Sequence, residues 1–124
     1  MNNVLYIAAG GAIGAVLRYS ISILALQLFG TGFPFGTLIV NVAGSFLMGC
    51  IYALAELSHI GPEWKALIGV GLLGALTTFS TFSNETLLLL QQGELVKASL
   101  NVLLNLILCL TVVYLGQQLI YSRV

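Results

Sequence analysis

The sequence predicts an all-α membrane protein with four transmembrane helices, the third broken midway, and three observations carry that reading. Of 124 residues, 59% are hydrophobic and 6% are charged, against roughly 25% charged in a soluble domain. Four basic and four acidic side chains cannot cover a core with a water-facing shell, so the bilayer is the solvent that fits. Crossing its hydrocarbon core takes about 20 helical residues, and four apolar windows of that size, 4–29, 36–56, 64–92 and 98–121, fill almost the whole chain. The last observation is the composition of the third window. Gly74-Ala75-Leu76-Thr77-Thr78-Phe79-Ser80-Thr81-Phe82-Ser83-Asn84-Glu85 is too rich in glycine and hydroxyls for a helix interior, because both weaken the intrahelical ladder.

The first span follows Met1-Asn2-Asn3, which has no basic n-region, so a retained helix is expected rather than a cleaved leader. Gly10, Gly14, Arg18 and Ser22 recur every four residues, with Gly11 and Ala15 beside them. Such a small-residue face marks a close helix contact. Arg18 on that face must meet protein or water, since a guanidinium at the bilayer centre costs at least ~2.5–3.5 kcal/mol. Two readings are open for it: an anion-attracting charge at a pore mouth or vestibule, or a structural ion pair or snorkelling arginine. Gly30-Thr31-Gly32-Phe33-Pro34 then ends the span, as glycine and proline do.

In the second span Thr37, Asn41, Ser45 and Gly49 share one face. The Asn41 carboxamide offers two N–H donors without net charge, which suits replacement of water around an anion or, equally, a hydrogen bond between helices. Ser58-His59-Ile60-Gly61-Pro62 leads to the third span. Its break is tolerable at membrane depth only where it is buried in protein or lines water, and the freed carbonyls suit a hard cation such as Na⁺. Phe79 and Phe82, three apart, can present ring edges, the positive lobe of the aromatic quadrupole. Ser80, Thr81 and Ser83 add neutral hydroxyls, and Glu85 is expected near the start of a second half-helix, where the dipole favours it. Packing and back-bonding are the competing account of the same Phe, Ser and Thr residues. Gln92-Gly93-Glu94 leads to the fourth span, which carries Asn101, Asn105 and Cys109 on one face. Trp64, Tyr114 and Tyr121 suit the membrane interface.

With four spans, Lys65 and Arg123 share one side while Lys97 and the mid-span Arg18 lean to the other. Basic residues in short loops set insertion direction, so a chain without that bias is expected to insert both ways up. Two such copies pair about an axis in the membrane plane, giving an antiparallel, dual-topology homodimer. Zero net charge leaves no footprint for nucleic acid. Cys50 and Cys109 lie in apolar runs and define no disulfide framework. Gly69-Val70-Gly71-Leu72-Leu73-Gly74 matches a dinucleotide fingerprint, but no strand precedes it. His59 stands alone in a loop, so neither metal catalysis nor imidazole acid–base chemistry has a constellation, and no enzyme is expected.

Three blocks of this sequence resemble the signatures of the small bacterial fluoride channels, the Fluc or CrcB family. They are Gly11-Ala12-Ile13-Gly14-Ala15-Val16-Leu17-Arg18-Tyr19, Gly36-Thr37-Leu38-Ile39-Val40-Asn41-Val42-Ala43-Gly44-Ser45 and the run from Gly71 to Glu85. The resemblance covers essentially the whole chain and implies a passive fluoride channel of the inner membrane, a dual-topology homodimer with two pores and a structural Na⁺. By position it implies Asn41 in the pore, Phe79 and Phe82 meeting fluoride, and Ser80 and Thr81 in a hydroxyl track, with Asn105 as the fourth span's contact. Gly74 and Thr77 would offer main-chain carbonyls to Na⁺, and Arg18 and Glu85 match the family's charged positions. Cys109 departs from the pattern, standing where a hydroxyl is expected. The alternative class is a proton-coupled exporter of the small multidrug type, which needs a buried carboxylate; Glu85 is its main candidate. A third class is a non-transporting membrane assembly subunit, whose polar stripes serve packing alone.

Overall fold

The computed structural model describes residues 2–123, all of whose regular elements are helical; Met1, which opens the leading stretch, lies outside the described residues. Helix α1 spans Asn2–Phe29 and α2 spans Phe35–Glu56. The third crossing is made of two half-helices, α3 over residues 62–76 and α4 over Phe79–Gln91, and α5 spans Leu95–Arg123. Four stretches are thus long and apolar enough to cross a membrane, with α3 and α4 sharing one.

The connections stop the helices by backbone chemistry. Gly30 (φ 76°) and Gly93 (φ 77°) take the left-handed conformation that glycine adopts without steric cost. The Gly30 amide donates to the Leu26 carbonyl at 2.9 Å. After α2 the same turn is made by Ser58 (φ 62°) rather than by a glycine. The His59 amide donates back to the Leu54 carbonyl at 2.9 Å, closing a Schellman-type end. Gly61 in the same connection is extended (φ −77°, ψ 169°) and precedes Pro62 at the first turn of α3, where proline's missing N–H costs nothing.

Within α3, residues Lys65–Leu73 are π-helical, a wider winding that hydrophobic periodicity does not reveal. Helix α1 lies along this segment. The small face expected of α1 makes the contact: side chains at Gly10 and Gly14 would collide with the carbonyl oxygens of Leu67 and Leu72. Helices α2 and α5 close on each other reciprocally. Gly49 seats the Val113 carbonyl, and Gly116 seats the Phe46 carbonyl, the backbone approach that small residues permit between membrane helices. A modest apolar cluster of Val40, Leu73 and Leu76 sits where α2 meets α3, with Ile21, Met48, Ile51, Ile68 and Leu72 around it. Ala25, Ala53, Ala66, Phe82, Leu89 and Ala98 are buried outside this cluster. The most apolar window of α1 is 11% buried and that of α5 is 17%, so most of the apolar surface faces outward.

Candidate functional site at the helix break

Thr77 (φ −83°, ψ 154°) and Thr78 (φ −153°, ψ 129°) are extended, so the helix stops at Leu76 and restarts at Phe79. Thr78 caps the restart: its Oγ1 accepts from the Thr81 amide at 3.3 Å, satisfying one of the free N–H groups that any helix start leaves. The same hydroxyl lies 3.4 Å from Ser80 Oγ and 3.3 Å from Thr81 Oγ1. Sequence alone places the break, and the break puts three hydroxyls within reach of one another.

The Thr78 main chain is taken up by a side chain on another helix. Its amide donates to Asn41 Oδ1 at 2.9 Å, and its carbonyl accepts from Asn41 Nδ2 at 3.3 Å. The carboxamide thus stands in for the missing turn of helix, pairing with the N–H and the C=O of one residue, which belong to two successive peptide groups. The second N–H of Asn41 goes to Asn105 Oδ1 at 2.9 Å. Asn105 in turn donates to the Asn101 carbonyl at 2.8 Å and to Asn101 Oδ1 at 3.1 Å. Asn101 reaches Thr86 Oγ1 at 2.9 Å, and Thr86 donates to the Phe82 carbonyl at 2.8 Å. Asn41, Asn101 and Asn105 are all buried, and their mutual pairing removes the penalty of unpaired amides inside a membrane domain.

A cavity of about 370 Å³ opens against this break, lined by Asn41, Ser45, Gly74, Thr77, Thr78, Phe79, Phe82, Asn105, Leu106 and Cys109. None of these side chains carries a charge. A second, smaller cavity of about 180 Å³ shares Ser45, Thr77 and Cys109 with it. The Phe79 and Phe82 rings stand 5.4 Å apart at 51°. Phe82 is buried at 7% exposure, whereas Phe79, which meets Phe82 and lines the cavity, is 72% exposed. Of the residues nominated from sequence, the cavity therefore gathers Asn41, Asn105, Phe79, Phe82, Gly74 and Thr77. Ser80 and Thr81 are joined to it only through Thr78.

Arg18 and Glu85 lie elsewhere. Arg18 Nε donates to the Ala75 carbonyl at 3.1 Å, using an oxygen that the end of α3 leaves free. Glu85 lines a separate cavity of about 240 Å³ beside the α1–α2 connection, with Ser22, Thr31, Thr37 and Gln92. Its Oε1 is buried without a hydrogen-bond partner among the described residues. The expected helix-dipole role of Glu85 is corrected here: α4 starts at Phe79, so its first turn holds no acidic residue, and the dipole's effect fades within that turn.

The break also tests whether main-chain oxygens could serve a hard cation. The Thr78 amide, which would have continued the α3 ladder, is diverted to Asn41. Gly74 and Thr77 both line the cavity, and carbonyl oxygens are suitable ligands for such an ion. Among the described residues no group of three His, Cys, Asp or Glu side chains could hold a transition metal.

Thr78, Asn101 and Thr86 are members of this site that sequence reading leaves without a role. The available signal was the four-residue spacing of Asn101 and Asn105, together with a hydroxyl four residues after Phe82.

The sequence model for the family described as CrcB-like protein, Camphor Resistance (CrcB), matches residues 5–117. The chain is 73% identical over 124 residues, the full length of both proteins, to a protein of Shewanella baltica strain OS155 named fluoride-specific ion channel FluC. It is 73% identical over the same full length to proteins of that name from Shewanella oneidensis and Shewanella sp. strain ANA-3. A family match across most of the chain and relatives this similar from end to end establish that the chain belongs to the CrcB-like family.

Proposed function

We propose that the chain is a fluoride channel that lets F⁻ leave the cell passively across the inner membrane, relieving its toxicity, and that it performs no enzymatic chemistry. One observation carries the reading from geometry: the cavity at the helix break is lined by amide, hydroxyl and aromatic groups with no charged side chain. Fluoride is small and strongly hydrated, so a narrow path must replace its water with donors yet hold it loosely enough for release. A carboxylate in that lining would repel the ion, and an ammonium would trap it. The relatives named as fluoride-specific channels support the choice of ion.

In this reading Asn41 supplies the amide donors. Its contact with the Thr78 carbonyl, at 3.3 Å, is longer than its 2.9 Å contact with Asn105, so it is the donation an anion takes over more readily. Phe79 and Phe82 offer ring edges, Ser80 and Thr81 a track of hydroxyls, and Asn105 the contact from α5. Arg18 and Glu85 act at the vestibules or in holding the fold. Gly74 and Thr77 are the residues that would hold Na⁺ through their carbonyls; when bound, the ion supplies a fixed positive charge and rigid oxygen coordination at the break.

The working unit is an antiparallel, dual-topology homodimer. Its support is the nearly balanced placement of Arg18, Lys65, Lys97 and Arg123 and the outward exposure of Phe79. A ring that turns its edge to an ion needs a partner surface to enclose the path, and a second copy provides one.

A second reading, the proton-coupled exporter, draws on the Glu85 carboxylate in its own cavity, one oxygen of which is buried without a partner among the described residues. Growth of a bacterial strain stripped of its own fluoride efflux separates the two. Expression is expected to restore growth on millimolar-range fluoride, and Glu85→Gln is expected to leave sensitivity to cationic drugs unchanged. No rescue on fluoride, with drug resistance that disappears in Glu85→Gln, would favour the exporter.

A further inference from the structure

The asparagine contacts form a circuit that begins and ends on the same half-helix. From the Thr78 amide it runs through Asn41, Asn105, Asn101 and Thr86 and returns to the Phe82 carbonyl. Both ends fix its direction, because an amide N–H only donates and a carbonyl only accepts. Each carboxamide between them therefore has one allowed orientation. Asn41 grips α4 at Thr78, one turn before Phe82, and Asn101 grips it at Thr86, one turn after. Asn101 is 0% exposed, so its N–H on Thr86 is not exchanged for water. An apolar seam alone tolerates small rotations of a helix about its axis, whereas two directional contacts on either side of one turn do not.

We propose that Asn101 and Thr86 are positioning residues for the permeation site: they lock α4 in the rotation that keeps the Phe82 ring beside Asn41 and the cavity. The proposal rests on the channel reading above. It assigns to Asn101 and Thr86 a function that neither exerts by touching the ion.

The test is initial F⁻ efflux from proteoliposomes holding the full-length protein, for Thr86→Val, Thr86→Ser, Asn101→Leu and the first two combined with Phe82→Ile. Thr86→Val keeps the shape of the side chain and removes its hydroxyl, so it serves even where Asn101→Leu fails to assemble. Its efflux is expected to fall about tenfold, as displacement of a preorganised group by a fraction of an ångström does, while Thr86→Ser stays within about twofold of wild type. In the Phe82→Ile background Thr86→Val is expected to cost nothing further, because both changes act through one ring. A role in folding alone predicts instead that the two losses multiply, and that result overturns the proposal, as does wild-type efflux in Thr86→Val. A wild-type protein that passes no fluoride removes the channel reading itself, an outcome distinct from either of these.

Discussion

Asn41 shows how much can hang on one side chain. It pairs with both the amide and the carbonyl of Thr78 and donates to Asn105, so it completes the break and carries the donors assigned to fluoride. Replacing it with Asp leaves only acceptors, one of them facing a carbonyl. A hydrogen bond to a charged group contributes about 1.5–3 kcal/mol, so Asn41→Asp is expected to lower F⁻ efflux about 10- to 100-fold. Phe79→Ile and Phe82→Ile remove the ring edges while keeping apolar volume, and about a tenfold loss is expected for each in the same assay. Wild-type efflux in both would remove the aromatic role. Asn41 was legible in the sequence because a carboxamide inside an apolar span is costly unless it is hydrogen-bonded, whereas the two phenylalanines are at home there and stood out through the resemblance to the channel family. The polarity of the asparagine circuit was not legible, since it depends on which backbone groups the break leaves free and on which helix lies opposite.

At the scale of elements, the break itself was readable from Gly74 through Ser83; Thr77 closes one half-helix and Thr78 caps the other. Thr78→Val removes that cap and is expected to destabilise the folded protein by about 1 kcal/mol, seen as a lower thermal midpoint in detergent. The α2–α5 contact gives a sharper test. Gly49 and Gly116 each receive a carbonyl of the facing helix, so Gly116→Val must push the helices apart. Overpacking of this kind costs about 1–3 kcal/mol, and the expected readout is loss of a monodisperse peak on size exclusion. The π-helical winding of Lys65–Leu73 had no sequence signature, because its hydrogen-bond register changes the backbone without changing which residues are apolar. Ser58 in the left-handed turn had no signature either, since a residue other than glycine seldom takes that conformation.

For the molecule as a whole, the four crossings followed from hydropathy, since nothing else in the sequence competes with that signal. The assembly is a different matter. Loop charges speak only to insertion, and the outward faces of α1, α4 and α5 can meet lipid or protein. The dual-topology account makes a direct prediction: a cysteine introduced near the C-terminus, in a background lacking Cys50 and Cys109, should react with an impermeant thiol reagent from both faces of the membrane in comparable amounts. Labelling from one face alone would remove the antiparallel pair.

The most direct test of the central claim, that an uncharged lining at the helix break replaces the hydration of one halide, is the efflux of F⁻ and Cl⁻ measured with ion-selective electrodes from the same proteoliposomes. The account predicts rapid F⁻ release and Cl⁻ release no faster than from protein-free vesicles. Equal release of both ions, or of neither, would contradict it.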